Sequence, residues 1–174
     1  MTVARLAAEA SVSPQTVYNA VGGKAEVVKA VYDVALAGDD ERVSIGDRPE
    51  FRAVQEATTA AECLRRYAAI GVLFWDRVGP LLTALLPHGD GGDSVLAELV
   101  ATTDRERRTG NTNVVRHLAS RFGLPDGWSE ERAVDLLWTL TSPQLADLLV
   151  RRCGWSSADY GAWLAEALVR DLAR

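Results

Sequence analysis

Gln15, Thr16 and Asn19 lie in one short helical segment and carry short, neutral hydrogen-bonding groups. The carboxamides of Gln and Asn can bond an adenine edge in a bidentate way, and the Thr methyl can touch a thymine methyl. Tyr18 can donate its hydroxyl to a phosphate, and the helix-start N–H groups near Thr2 and Lys24 favour phosphate anions. The chemistry these residues imply is contact with double-stranded DNA.

The elements that must position them are legible as helices. Thr2 can cap a helix from Val3 to Ala10, with Val3, Leu6, Ala7 and Ala10 on one face, and Ser11 and Val12 break it. Ser13 caps a second helix whose first position is Pro14, where the missing N–H costs nothing. Val17 and Ala20 are expected inward, and Gly22-Gly23 ends the helix. Two short helices joined by a tight turn have helix-turn-helix geometry, in which the second helix enters the major groove. Such pairs also occur in all-helical proteins that never touch DNA, and fold does not imply function. A third helix is expected from Lys24 to about Leu36, with Val27, Val28, Val31 and Ala35 as its buried stripe. The polar, acidic stretch Gly38 to Arg48 reads as a hinge, which divides the chain into a head at 1–37 and a body at 38–174.

The body also reads as all-α. Ala57 to Leu86 has a three-four apolar rhythm through Leu64, Tyr67, Gly71, Phe74, Val78, Leu82 and Leu85, with a kink or a break expected at Gly79-Pro80. A loop is expected at His88 to Asp93, then a long helix from Ser94 to Phe122 with a polar middle, and a turn at Leu124 to Trp128. Ser129 caps a helix with Ala133, Leu136, Leu137 and Leu140 inward. Ser142-Pro143 starts another that runs to about Arg152, and a last helix runs from about Ser157 to Leu172.

Within this body Tyr67, Phe74, Trp75 and Trp138 supply aromatic walls, and Thr103, Arg107 and Asn111 recur at spacings of four along the polar middle of the long helix. Small-molecule pockets are mostly apolar with a few placed polar groups, so these seven residues are candidate ligand contacts. Aromatic stripes at helical spacing are also ordinary core. The last helix, with Tyr160 and Trp163, and the Ser129–Leu140 helix carry apolar stripes that could form an isologous four-helix bundle between two copies, or simply close the monomer's core.

Composition narrows the classes. The chain has 174 residues, 48% apolar and 25% charged, enough for a self-sufficient core without disulfide or metal staples. The net charge of −5 argues against a generic nucleic-acid coat protein, yet the first 32 residues balance at +1 against −6 for the rest. The longest continuous apolar stretch, Tyr67 to Trp75, is too short to span a bilayer, no helix joins a basic face to an apolar one, and no signal core follows Met1. Cys63 and Cys153 stand apart, as do His88 and His117, which fits reduced thiols in the cytoplasm and no zinc site. No nucleophile–base–orienter set is visible, so no catalytic residue and no cofactor is expected. Gly22-Gly23-Lys24 lacks the spacing of a phosphate loop, and Asp90 to Asp93 lacks the remaining ligands of a calcium loop.

The run from Thr2 to Asn19, followed by Gly22-Gly23-Lys24-Ala25-Glu26, closely resembles the DNA-binding domain of the tetracycline-repressor (TetR) family. Leu136 to Pro143, Cys153 to Ser156 and Tyr160 to Leu164 are similar to the last helices of an actinobacterial-type branch of it, while between about 38 and 128 only the helix order is shared. The resemblance implies a homodimeric regulator, a repressor that binds a palindromic operator and is released by a small-molecule effector. It implies Ser13, Gln15, Thr16, Tyr18 and Asn19 on the recognition helix, with Thr2 and Lys24 on phosphates. The chain departs from the family in two ways: Val21 and Ala20 stand where Phe and His or Tyr are frequent, and a helix that the family places before Thr2 is not in this sequence. The head is therefore expected to be incomplete, with apolar faces of its helices uncovered. The alternative is a helical ligand-binding dimer that has lost DNA binding.

Overall fold

The computed structural model describes residues 2–41, 43–85, 87 and 94–174. It is all-helical, with no strand among the described residues. The loop expected at His88 to Asp93 lies outside the described residues.

Helix α1 (Val3–Glu9) starts at Thr2, whose side chain accepts the Arg5 N–H at 3.3 Å. It ends in a Schellman turn: Ser11 N–H donates to the Ala8 carbonyl at 3.2 Å and Val12 N–H to the Ala7 carbonyl at 2.9 Å. That turn places Ser11 in the left-handed region, φ 56°, a position that favours glycine. Helix α2 (Pro14–Ala20) begins as the sequence predicts, with Ser13 Oγ accepting the Thr16 N–H at 3.0 Å and Pro14 in the first turn. Helix α3 (Lys24–Ala37) stops at Gly38, φ 87°, where a Cβ would lie 2.7 Å from the Arg77 guanidinium. Arg77 donates to the Leu36 and Ala37 carbonyls, both at 3.1 Å, and so caps the negative end of α3 from the next layer.

The stretch after Gly38 is clasped rather than loose. Arg48 grips Asp39 through two bonds of 2.7 and 2.8 Å, and a single 3-10 turn at Ile45–Asp47 leads into α4 (Pro49–Gln55). Helix α5 (Ala60–Leu85) runs unbroken through Pro80, because the ring removes one backbone donor while the rest of the helix stays packed on its neighbours. By length and composition α5 could cross a membrane, with mean hydropathy 1.4 over its most apolar window, a property that the longest continuous apolar run does not reveal. In the fold its apolar side lies against α4 and α9.

Helix α6 (Ser94–Phe122) and α7 (Glu130–Leu140) form the opposite wall; Ser129 caps α7 by accepting the Arg132 N–H at 3.2 Å. Helix α8 (Pro143–Ala146) passes into a π-helical segment, Asp147–Arg152, in which buried Asp147 binds Arg151 and Arg152 at 2.5 and 2.8 Å. Helix α9 (Ser157–Leu172) then returns along α5. Gly161 permits that approach, since a Cβ there would meet Val72 at 2.8 Å.

The main core joins Leu64 and Ile70 of α5, Val115 and Leu118 of α6, Leu137 of α7, and Tyr160, Leu164, Leu168 and Leu172 of α9. Tyr160 is only 1% exposed, so it belongs to this core and is no anchor for a second copy; burial on α5 has already taken the face the sequence leaves open. The N-terminal cluster is much smaller: Ala7, Val17 and Val27, with Val3 and Leu6 partly buried. Ala10 and Ala20 are exposed rather than inward, and Val31 is 53% exposed while its neighbour Tyr32 is buried. A third cluster unites Leu85, Leu96 and Leu99 with Val28. Helix α3 thus gives Val27 to the N-terminal cluster and Val28 and Tyr32 to the body.

Candidate functional site

A cavity of about 820 Å³ lies between α3, α4, α5 and α6. It is lined mainly by apolar and aromatic side chains, the character of small-molecule pockets. It exists because α5 packs closely on α9 but only sparsely on α6, which leans away toward α7.

Of the seven candidate ligand contacts, Tyr67, Phe74, Trp75, Thr103 and Arg107 are on its wall. Their roles differ. Phe74 and Trp75 present rings from α5, and Phe74 packs against Phe51 of α4 with ring centroids 6.1 Å apart. The Tyr67 hydroxyl donates to Asn111 Oδ1 at 2.6 Å, and burial pushes its pKa above the usual tyrosine value, so it remains a neutral donor. Thr103 turns its hydroxyl back onto the Val100 carbonyl at 3.0 Å. Arg107 binds Asp104 at 2.8 Å and the Trp138 carbonyl, and stacks on the Trp138 ring at 5.0 Å.

Asn111 and Trp138 are corrections: neither lines the cavity. Each step of four along an α-helix overshoots a full turn by roughly 40°, so a series at 103, 107 and 111 winds away from any fixed face. Asn111, fully buried, stands behind Tyr67 and reaches toward Thr141. Trp138 lies on α7 beneath Arg107 and Arg108, and its buried indole N–H has no hydrogen-bond partner among the described residues. The residues of α6 that do face the cavity, among them Glu106, Gly110, Asn113 and His117, follow the mixed three-four spacing instead. His117 brings a buried Nε2 without a partner among the described residues.

Lys29, Tyr32, Asp33 and Leu36 of α3 also line the cavity, and the sequence reading missed them. The signal is Tyr32, which joins the face of Val28 and Ala35 where the sequence pattern points to Val31. Lys29 binds Asp33 at 2.5 Å and Glu106 of α6 at 3.2 Å, and its ammonium lies 5.8 Å from the Tyr32 ring centroid. Burial alone would lower the Lys29 pKa, but the bonds to Asp33 and Glu106 carry it above the usual lysine value. The Tyr32 hydroxyl is pushed up to about 12 by burial and by the Glu106 and Asp33 charges.

The second candidate surface is the exposed face of α2. Gln15 Nε2 donates to Asn19 Oδ1 at 2.8 Å, and the Ser13 and Thr16 hydroxyls bond each other at 2.8 Å. The first bond uses one Gln15 N–H and the Asn19 side-chain carbonyl, and both residues are exposed. Tyr18 is 52% exposed on the same helix. Among nearby cations, Arg5 pairs with Glu9 at 3.2 Å on the surface, and Lys29 is turned into the body. Thr2 caps α1 and Lys24 opens α3, each at a helix start.

Among the described residues no cluster of three His, Cys, Asp or Glu side chains could hold a metal. No family model matches the chain, and no curated protein or solved structure does.

Proposed function

We propose that the protein is a TetR-like transcriptional regulator, a cytoplasmic homodimer that reads a palindromic operator through α2 and responds to a small molecule bound among α3–α6. The α1–α2 pair is then a helix-turn-helix, with Gln15, Thr16 and Asn19 toward base edges and Thr2, Ser13, Tyr18 and Lys24 toward phosphates. The observation that carries this reading is the double allegiance of α3. One side of it holds the small cluster on which α2 sits, through Val27, and the other lines the cavity through Tyr32 and Leu36. A ligand in the cavity touches the helix that carries the DNA-reading pair, so it can favour one head position over another. Allosteric coupling of this kind is typically worth about 1–3 kcal/mol.

The test is selection of duplexes from a random pool with the intact protein, followed by anisotropy titration of the winner. Gln15→Ala and Asn19→Ala should each weaken binding by roughly 5- to 150-fold, equivalent to one bidentate base contact, and leave the oligomeric state unchanged. Unchanged affinity in both variants would sink the assignment of α2. Few cations flank α2, so the salt dependence should be shallow, near −0.9 in log–log slope for each phosphate that a Lys or Arg neutralises.

A second reading has its own support: a ligand-binding helical protein whose N-terminal helices do not engage DNA. Val21 at 45%, Val31 at 53% and Val34 at 48% are exposed around a cluster of three buried residues. Failure of the selection to enrich any duplex, with the cavity still binding ligands, would favour it.

A further inference from the structure

The charges around the cavity point to the class of ligand it accepts. Its charged lining comprises Lys29 and Arg107 against Asp33, Asp104 and Glu106. Arg107 is already committed to Asp104, the Trp138 carbonyl and the Trp138 ring, and these two charges cancel in place. What remains is one ammonium held between two carboxylates at the junction of α3 and α6, with an aromatic ring beside it.

Geometrically this is a receptor for a cation, currently filled by the chain's own lysine. The ring lies within the ~6 Å at which a cation gains from an aromatic face, and Asp33 and Glu106 supply the opposite charge. An anionic ligand would face an excess of carboxylate, because the nearest ammonium is already satisfied. A neutral one would gain nothing from the junction. The cavity wall also includes Trp75, Val78 and Leu82, apolar surface that suits an apolar tail.

We propose that the cavity binds a cationic amphiphile whose ammonium takes the place of Lys29 at Glu106 while its tail lies along Trp75 and Leu82. The inference rests on the reading of the cavity as an effector site and names the effector's class. It also names the bond that the effector breaks. Lys29 keeps Asp33, which belongs to its own helix, and loses Glu106, the ion pair that ties α3 to α6 beside the apolar contact of Val28 with Leu96 and Leu99. Binding therefore loosens α3 against α6 on its cavity side, in the helix whose other side bears the N-terminal cluster.

Isothermal titration of the intact protein with decyltrimethylammonium, 1-decanol and decanoate, each below its micelle concentration, tests the proposal. The cation should bind about three- to tenfold more tightly than either of the others, a preference of the size that a partly exposed cation–π and carboxylate contact gives, since Asp33 and Glu106 are each about half exposed. Glu106→Gln should remove most of that preference, and Lys29→Met, which removes the competing ammonium, should tighten the cation further. Gly110→Trp, which fills open space at the wall, should abolish binding of all three. Equal affinity for the alcohol and the cation, or a preference that survives Glu106→Gln, overturns the ligand class while a cavity that still binds decanol keeps the effector reading. Absence of binding by all three overturns both.

Discussion

The N-terminal pair α1–α2 and the body pair α5–α9 use the same material, small aliphatic residues at helical spacing on capped helices, to opposite ends. In the body, Leu164, Leu168 and Leu172 are fully buried against a helix of 26 residues, and Gly161 lets the two backbones approach. In the head, two helices of 7 residues share Ala7 and Val17 with one residue of α3. Helices this short are unstable alone, so their caps and their one contact strip must hold them. The difference is that between a scaffold and a movable attachment. Local stability follows the number of buried apolar contacts, and segments that move are drawn from the low end.

Truncation of the two cores should separate them most clearly. Leu164→Ala should lower global stability by about 2–5 kcal/mol, as for other buried leucines. Val17→Ala should instead speed amide exchange in α1 and α2 and leave the body's urea transition in place. Tryptophan fluorescence reports the body alone, because all 5 tryptophans follow residue 74. A single shared transition, shifted equally by both variants, would show that the two regions are not distinct.

A smaller change sharpens the comparison in the other direction. Ser11 holds a left-handed conformation that costs an L-residue about 1–2 kcal/mol, so Ser11→Gly should slow amide exchange of α1 and α2 by up to roughly tenfold. Acceleration would mean that the Schellman turn is not the form present in solution.

The smallest effect concerns the clasp between the regions. Arg48 holds the Asp39 carboxyl down from 3.8 to about 2, with the Glu41 backbone N–H assisting. A depressed carboxylate stabilises the fold above its unfolded value and ceases to do so as pH falls through the folded one. The clasp should therefore weaken between about pH 4 and pH 2, not near neutrality. The Asp39 carboxyl carbon, followed by NMR, should titrate near the lower end; titration near 3.8 would show the clasp open.

Local signals made the helices legible. Thr2, Ser13, Ser129 and Ser142 announce helix starts through a hydroxyl that the structure uses as a cap, and α6 and α9 have the bounds that the pattern predicts. The cavity was legible only in part. Phe74 and Trp75 could be named because aromatic residues cluster on α5, whereas the contribution of α3 depends on which of Val31 and Tyr32 turns inward. That choice is made by packing on α5 and α6, both distant in sequence. Asn111 was misplaced for a related reason, since a spacing of four follows no straight face of a helix. For Tyr160 the sequence leaves both an interface and the monomer's core open, because it does not say that α9 packs on α5.

Helix α3 is the wall common to the cavity and the N-terminal cluster, and the cavity can be filled without a ligand. Gly110 lines it, and a Cβ there would meet nothing within 4 Å. The deciding measurement is the affinity of the intact protein, Gly110→Ala and Gly110→Trp for one selected duplex, by anisotropy at fixed salt. Gly110→Ala should match the unmodified chain, and Gly110→Trp should differ from both by about fivefold or more, the lower bound of an allosteric coupling. Identical affinities in all three, with the tryptophan variant folded, would contradict communication between cavity and head.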